Sequence, residues 1–280
     1  MRAFRCLVVA WVALVASGAR ADGWTPTLTL AATWHDNASN ASASADRIGA
    51  LQTGAELLLS ERYGVARNDS VLVSARFAGD WWERYSGLTR GAAGARVEWQ
   101  HKFGLGAFVP VASVELAADA VAAAESGRRG IATGITFALR KRFNDQWRAM
   151  LTQEFARHDA RRAVFDRAGT ETACEVGREI TEISRFSVRL SYRRGDVLSY
   201  ATPPRPDLVA LAPNRADVET FGRPMVAYSI DARSVGARAA YVRALNEQST
   251  VILAYEWRET ERSSLQYTNH LVTVALAHQF

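Results

Sequence analysis

From Trp24 onward apolar and polar residues change places at nearly every step, with a period of two rather than 3.6. The closing segment Leu271 to Phe280 shows it most plainly. Phe280, His278, Leu276, Val274 and Val272 lie on one side, and the small or polar Gln279, Ala277, Ala275 and Thr273 on the other. That is a strand with one greasy face. Eleven earlier stretches repeat the pattern: about Trp24 to His35, Ile48 to Tyr63, Ser70 to Trp82, Ala93 to Phe103, Ala107 to Val121, Ile131 to Phe143, Trp147 to His158, Thr170 to Ile180, Arg185 to Arg193, Met225 to Leu245 and Thr250 to Arg258. The tenth is too long for one regular span, and its apolar parity slips near Ser234, which predicts a bulge.

The connections alternate in length. Tight ones follow even-numbered strands, and three share a turn chemistry: Asn68-Asp69-Ser70, Asn144-Asp145-Gln146 and Asn246-Glu247-Gln248. A fourth, Gly104-Leu105-Gly106, joins strands four and five, with Pro110 weakening the start of the fifth. Longer polar connections follow odd-numbered strands. The longest, about Ser199 to Pro224, holds five of the seven prolines and reads as a surface loop.

Charged residues share one face with the small ones, while the opposite face is apolar almost throughout. A soluble β-sandwich also alternates, but its strands are usually shorter, roughly 5 to 6 residues, and its outer faces are charged. An apolar outside with no tolerated open edge points to an all-β fold, a transmembrane antiparallel up-and-down barrel of about 12 strands. Aromatics gather at the strand ends. Trp24, Tyr63, Phe103, Phe108, Phe143, Trp147, Phe186, Tyr241 and Phe280 fall near the short turns, and Trp34, Trp81, Trp82, Tyr228, Tyr255 and Trp257 toward the other end.

The terminal aromatic and its alternating approach resemble the outer-membrane β-barrels of Gram-negative bacteria. The resemblance implies that Val272, Val274, Leu276 and Phe280 form a signal for the barrel-assembly machinery. It also implies contact with outer-membrane lipid and lipopolysaccharide. The first residues agree: Arg2 and Arg5 precede an apolar run from Cys6 to Ala16 too short to cross a bilayer, and Ala19-Arg20-Ala21 fits a cleavage site. A signal peptide over 1–21, a barrel over 22–280 and export to the outer membrane are therefore expected.

Without the three signal arginines, 31 basic residues face 29 acidic ones, so no nucleic-acid partner is inferred from charge. Cys174 is the one cysteine left after cleavage, which forbids an intramolecular disulfide, and it falls on the apolar face. No later apolar run is long enough for a membrane helix.

Candidate chemistry sits on the polar face. Its pore-lining candidates are Arg76, Asp80, Arg96, Glu98, Arg140, Arg142, Glu154, Glu175, Glu179, Arg185, Arg189, Arg193, Glu256 and Arg258, accompanied by Gln52, Glu56, Lys102, Glu115, Asp119 and Arg148. A small-solute pore biased to anions by Arg185, Arg189 and Arg193 is one reading. An interior filled by charges that pair across it is the other. Two enzyme comparisons are weaker. A phospholipase-type site needs a Ser beside a lipid-facing His; His158 has none nearby in sequence, and His101 and His278 lie near strand ends, where interface placement explains them. A lipid A deacylase is echoed only faintly by His35, Asp36, Asn37, Asp46 and Arg47. The spacing of Asp36, Asn37, Asn40 and Asp46 fits no calcium loop, and no phosphate-binding or paired-cysteine motif is present, so neither cofactor nor metal is expected. A porin-like channel is the leading expectation; a lipid-modifying hydrolase and a surface-display barrel are the alternatives.

Overall fold

The structure, a computed structural model, describes residues 23–203, 206, 212–262 and 265–280. The expected signal segment lies outside them. The chain forms β1 (Thr25–His35), β2 (Ala50–Ala66), β3 (Asp69–Trp82), β4 (Arg90–Lys102), β5 (Val111–Ala123), β6 (Gly130–Arg142) and β7 (Trp147–Ala160). It continues with β8 (Arg167–Thr181), β9 (Ser184–Ala201), β10 (Asn214–Asp217), β11 (Met225–Ala244), β12 (Ser249–Arg262) and β13 (Leu265–Gln279). Twelve of these are the staves of one closed antiparallel barrel, and β10 is a four-residue addition to the top of β11. Closure joins the chain ends: β1 pairs with β13 from Thr27 opposite Gln279 to His35 opposite Leu271, and the Phe280 amide donates to the Pro26 carbonyl at 3.0 Å. Among the described residues no wall strand leaves an edge open to lipid.

Register carries the two faces around the ring. Leu30, Leu276 and Ala55 stand in one row on the outside, as do Leu116, Ile135, Phe155 and Thr170. Leu30, Phe77, Trp99, Phe137, Leu190 and Leu253 are all more than two-fifths exposed, so the large apolar side chains form a belt around the wall rather than a core.

Three expectations need correction. The fourth link runs from 103 to 110, not 104 to 106, because Gly104 and Gly106 take φ of +127° and +101° and Pro110 supplies no ladder N–H, so β5 starts at Val111. The bulge near Ser234 is absent: β11 pairs with β9 from Val226 opposite Ala201 to Arg243 opposite Ser184 without a shift. The apolar face changes there because the surroundings change. Below Ser234, Val235, Ala237, Ala239 and Tyr241 face outward; above it, Tyr228, Ile230 and Ala232 are buried under the loops. For the same reason Tyr228 belongs to no lipid-interface girdle. Trp82 leaves the girdle too, because its register places it inside, where it packs on the His35 ring at 4.9 Å.

The buried residues collect at the loop end. Ile48, Val164, Phe165, Tyr200, Phe221, Met225 and Ala227 form one cluster, with Tyr85 and Leu88 against it; Ala201, Tyr228, Ile230, Leu265 and Tyr267 form another. The first joins residues of the β1–β2, β3–β4 and β7–β8 connections to the tops of β9 and β11, so these loops fold inward over the mouth; the second joins the tops of β9, β11 and β13.

Candidate functional site: the inner wall and its mouth

All fourteen pore-lining candidates stand on the face opposite the apolar belt. Their pairing runs along the wall. Arg76 on β3 holds Glu56 of β2 at 2.7 Å and Asp119 of β5 at 3.3 Å. Arg90 meets Asp80 at 2.7 Å, Arg96 meets Glu115 at 3.8 Å, and Arg140 meets Glu98 at 3.3 Å. Farther round, Arg148 meets Glu179 at 3.7 Å and Arg189 meets Glu171 at 2.5 Å, while Arg258 pairs with Glu256 on the same strand. Each partner lies on the same strand or one or two strands away. Among the described residues no ion pair crosses between opposite staves.

Charge is left over. Arg142, Arg185 and Arg193 make no ion pair among the described residues, nor do the inward Lys102, Arg167 and Arg238; of the inward carboxylates on the wall strands only Glu154 and Glu175 stand without one. Of the expected arginine ladder, Arg189 is therefore neutralised by Glu171 while Arg185 and Arg193 keep their field. The wall retains an excess of positive charge. Side chains on it stay partly wet, from 10% exposed at Glu98 to 52% at Arg90.

Several contributors escaped the sequence reading. Glu171 lies two residues before Ala173, so strand parity alone places it inside. Arg90 was lost by starting strand four at Ala93, and Arg238 by the apparent slip in strand ten.

Ion pairs that do span a distance belong to the mouth. Glu125, between β5 and β6, accepts from Arg215 of β10 at 2.7 Å, and Asp46, between β1 and β2, lies 3.8 Å from Arg223 and accepts from the Thr202 amide at 3.0 Å. Gly87, between β3 and β4, lies so close to this crossing that a Cβ on it would sit 2.6 Å from the Thr220 Cα. Pairing of β9 with β8 ends at Gly195 opposite Gly169, so the top of β9 stands above the rim. There Arg128 donates to the Tyr200 hydroxyl and its guanidinium lies 4.7 Å from the Phe165 ring centre. Burial pushes the Tyr200 phenol up to about 12, so it meets Arg128 as a neutral acceptor and leaves that cation uncompensated.

The candidate enzymatic groups are otherwise engaged. His35 bonds Gln52 Oε1 at 2.8 Å, and buried His158 donates from Nε2 to the Arg128 carbonyl at 3.0 Å. His101 lies 3.0 Å from Asp69 and packs on Phe103. Ser249 and His278, distant in sequence but opposite in register, share a 2.9 Å hydrogen bond on the outer face by the short turns. Nothing among the described residues orients the far side of that imidazole, and the Ser249 amide is already donated to Asn246. Asp36, Asn37, Asn40 and Asp46 do not converge: Asp36 accepts from the His270 amide, Asn37 from Ser39 and Ala41, Asp46 from Thr202, and the Asn40 amide donates to Leu198. They clamp the first loop. Cys174 is exposed on the outer face, between Leu151 and Leu190.

Neither a protein-family model nor a curated protein matches the chain. Among solved structures it is similar to an outer membrane channel from Pseudomonas putida F1, with a TM-score of 0.59 at 8% identity, over 92% of this chain and 96% of that one. The KdgM porin in complex with disordered oligogalacturonate gives a TM-score of 0.49 at 7% identity, over 91% and 99%. An anion-selective porin from Comamonas acidovorans gives 0.44 at 8%, over 92% and 98%. The first likeness establishes a common barrel fold and says nothing of cargo.

Proposed function

We propose that this chain is a β-barrel of the bacterial outer membrane that gives small solutes, anions in preference, a narrow passive path. The observation that carries the reading is the direction of the inner ion pairs: they lie along the wall, one or two strands apart, and among the described residues none reaches across the lumen to an opposite stave. Charges tied laterally keep their field but do not bridge the lumen. Unpaired Arg185, Arg193 and Arg238 against Glu154 and Glu175 make that field positive, which concentrates anions in a confined aqueous passage. The inward-folded loops set the narrowest part at the mouth.

Placement in the outer membrane rests on the apolar belt, on the expected leader at 1–21 and on the terminal strand. Val272, Val274, Leu276 and Phe280 line up on the outer face, 50%, 50%, 40% and 49% exposed, where an assembly factor can read them. The test is swelling of vesicles that hold the refolded barrel. Small anionic solutes are expected to enter faster than neutral ones of equal size, and an impermeable vesicle with correctly folded barrel would refute the channel.

A further inference from the structure

The outer wall holds one candidate site that solute passage does not use. A groove of about 790 Å³ opens on it between β5 and β9. Its floor is low because β8 offers only Ala168, Gly169 and Thr170 there, while Ile135 and Phe155 rise beside it as part of the apolar belt. Register extends the row Phe155, Thr170 sideways to Arg194 on β9 and Arg233 on β11, all on the outer face.

Register thus makes two arginines direct partners on neighbouring strands, a like-charge pairing that repels unless an anion lies between. Among the described residues neither makes an ion pair: Glu261 faces Arg233 in the next register pair and Asp231 lines the groove, and neither carboxylate closes on them. Two residues nearer the short turns the same strands carry Tyr192 and Val235, then Leu190 and Ala237. The arginine pair therefore marks the loop-side margin of the apolar belt, at the height of a lipid headgroup.

We propose that this groove and the adjoining recess, which share Arg194 and Asp231, together seat a phosphorylated, acylated glycolipid of the outer leaflet, of lipid A chemistry, with an acyl chain along Ile135 and Phe155 in the groove and a phosphate between Arg194 and Arg233 in the recess. Planar guanidinium forks suit a phosphate held from two sides, and the aliphatic trough below suits the chain attached to it. The seat rests on the reading that the barrel lies in an outer membrane with its loops outward.

Binding of purified lipid A to the refolded full barrel in detergent, followed by native mass spectrometry, tests it, with heat-modifiable migration verifying the fold of each variant. Arg194→Gln with Arg233→Gln, and separately Thr170→Trp, which fills the floor, are each expected to weaken binding by at least about tenfold. Dephosphorylated lipid A is expected to bind more weakly, and inorganic phosphate not to compete. Wild-type affinity in the arginine double variant, equal binding of the dephosphorylated lipid, or displacement by inorganic phosphate overturns the seat. Should the double variant not refold, an unchanged Thr170→Trp overturns it alone. A barrel that conducts but binds no lipid A refutes the seat and leaves the channel; one that binds lipid A but never conducts refutes the channel and leaves the seat.

Discussion

Arg76 shows how a single side chain holds the inner wall. It bridges Glu56 and Asp119 while only 19% of its side chain is exposed, and it can do so because Gly94 beside it has no side chain: a Cβ there would lie 2.2 Å from Asp119 Oδ1. Arg76→Leu leaves two carboxylates facing each other and is expected to cost about 1–3 kcal/mol of stability in lipid-vesicle urea titrations. Arg90→Leu should cost less, since Arg90 serves one carboxylate and is 52% exposed. Phe280 acts on a different step. Its deletion removes an exposed aromatic at the closing seam, and it is expected to reduce the fraction that migrates as folded barrel while leaving the conductance of the molecules that do fold unchanged. Unchanged folding yield would show that the terminal aromatic is no assembly signal.

At the scale of elements, the staves were legible and the mouth was not. Period-two alternation marks every wall strand because one side meets lipid and the other water, so residues such as Leu190 and Arg189 fall on opposite faces by sequence alone. The same rule fails above Ser234, where β9 and β11 rise past the rim and Tyr228 turns under a cap that no local pattern announces. Partners at the mouth are far apart in sequence: Glu125 finds Arg215, and Gly87 meets Thr220. Polar residues in a long loop read as solvent-exposed, yet Thr220 is 1% exposed, its buried amide and hydroxyl both satisfied by donation to Asp217 at 2.9 Å and 2.6 Å. Replacing 203–223 with a short Gly-Ser linker is expected to raise single-channel conductance without altering folding, and Gly87→Val, which pushes the crossing segment away, is expected to shift conductance in the same direction. Equal conductance in both would place the constriction elsewhere.

Across the whole molecule, the wall is a set of lateral ion pairs with a cationic remainder, edged at one end by short turns and overhung at the other by folded loops. The remainder sets selectivity. Arg185→Glu with Arg193→Glu reverses charge at two unpaired positions and is expected to lower the anion-to-cation permeability ratio by roughly twofold or more, read from reversal potentials in a salt gradient. High salt should shrink the difference between wild type and variant, because screening shortens the reach of the wall charges. All of this depends on a continuous water path between the paired walls. The measurement that tests it most directly is single-channel recording of the pure, refolded wild-type protein in a planar bilayer. Discrete conductance steps with a reversal potential of anion-selective sign are expected; a correctly folded barrel that inserts and gives no steps at any applied voltage would contradict the channel.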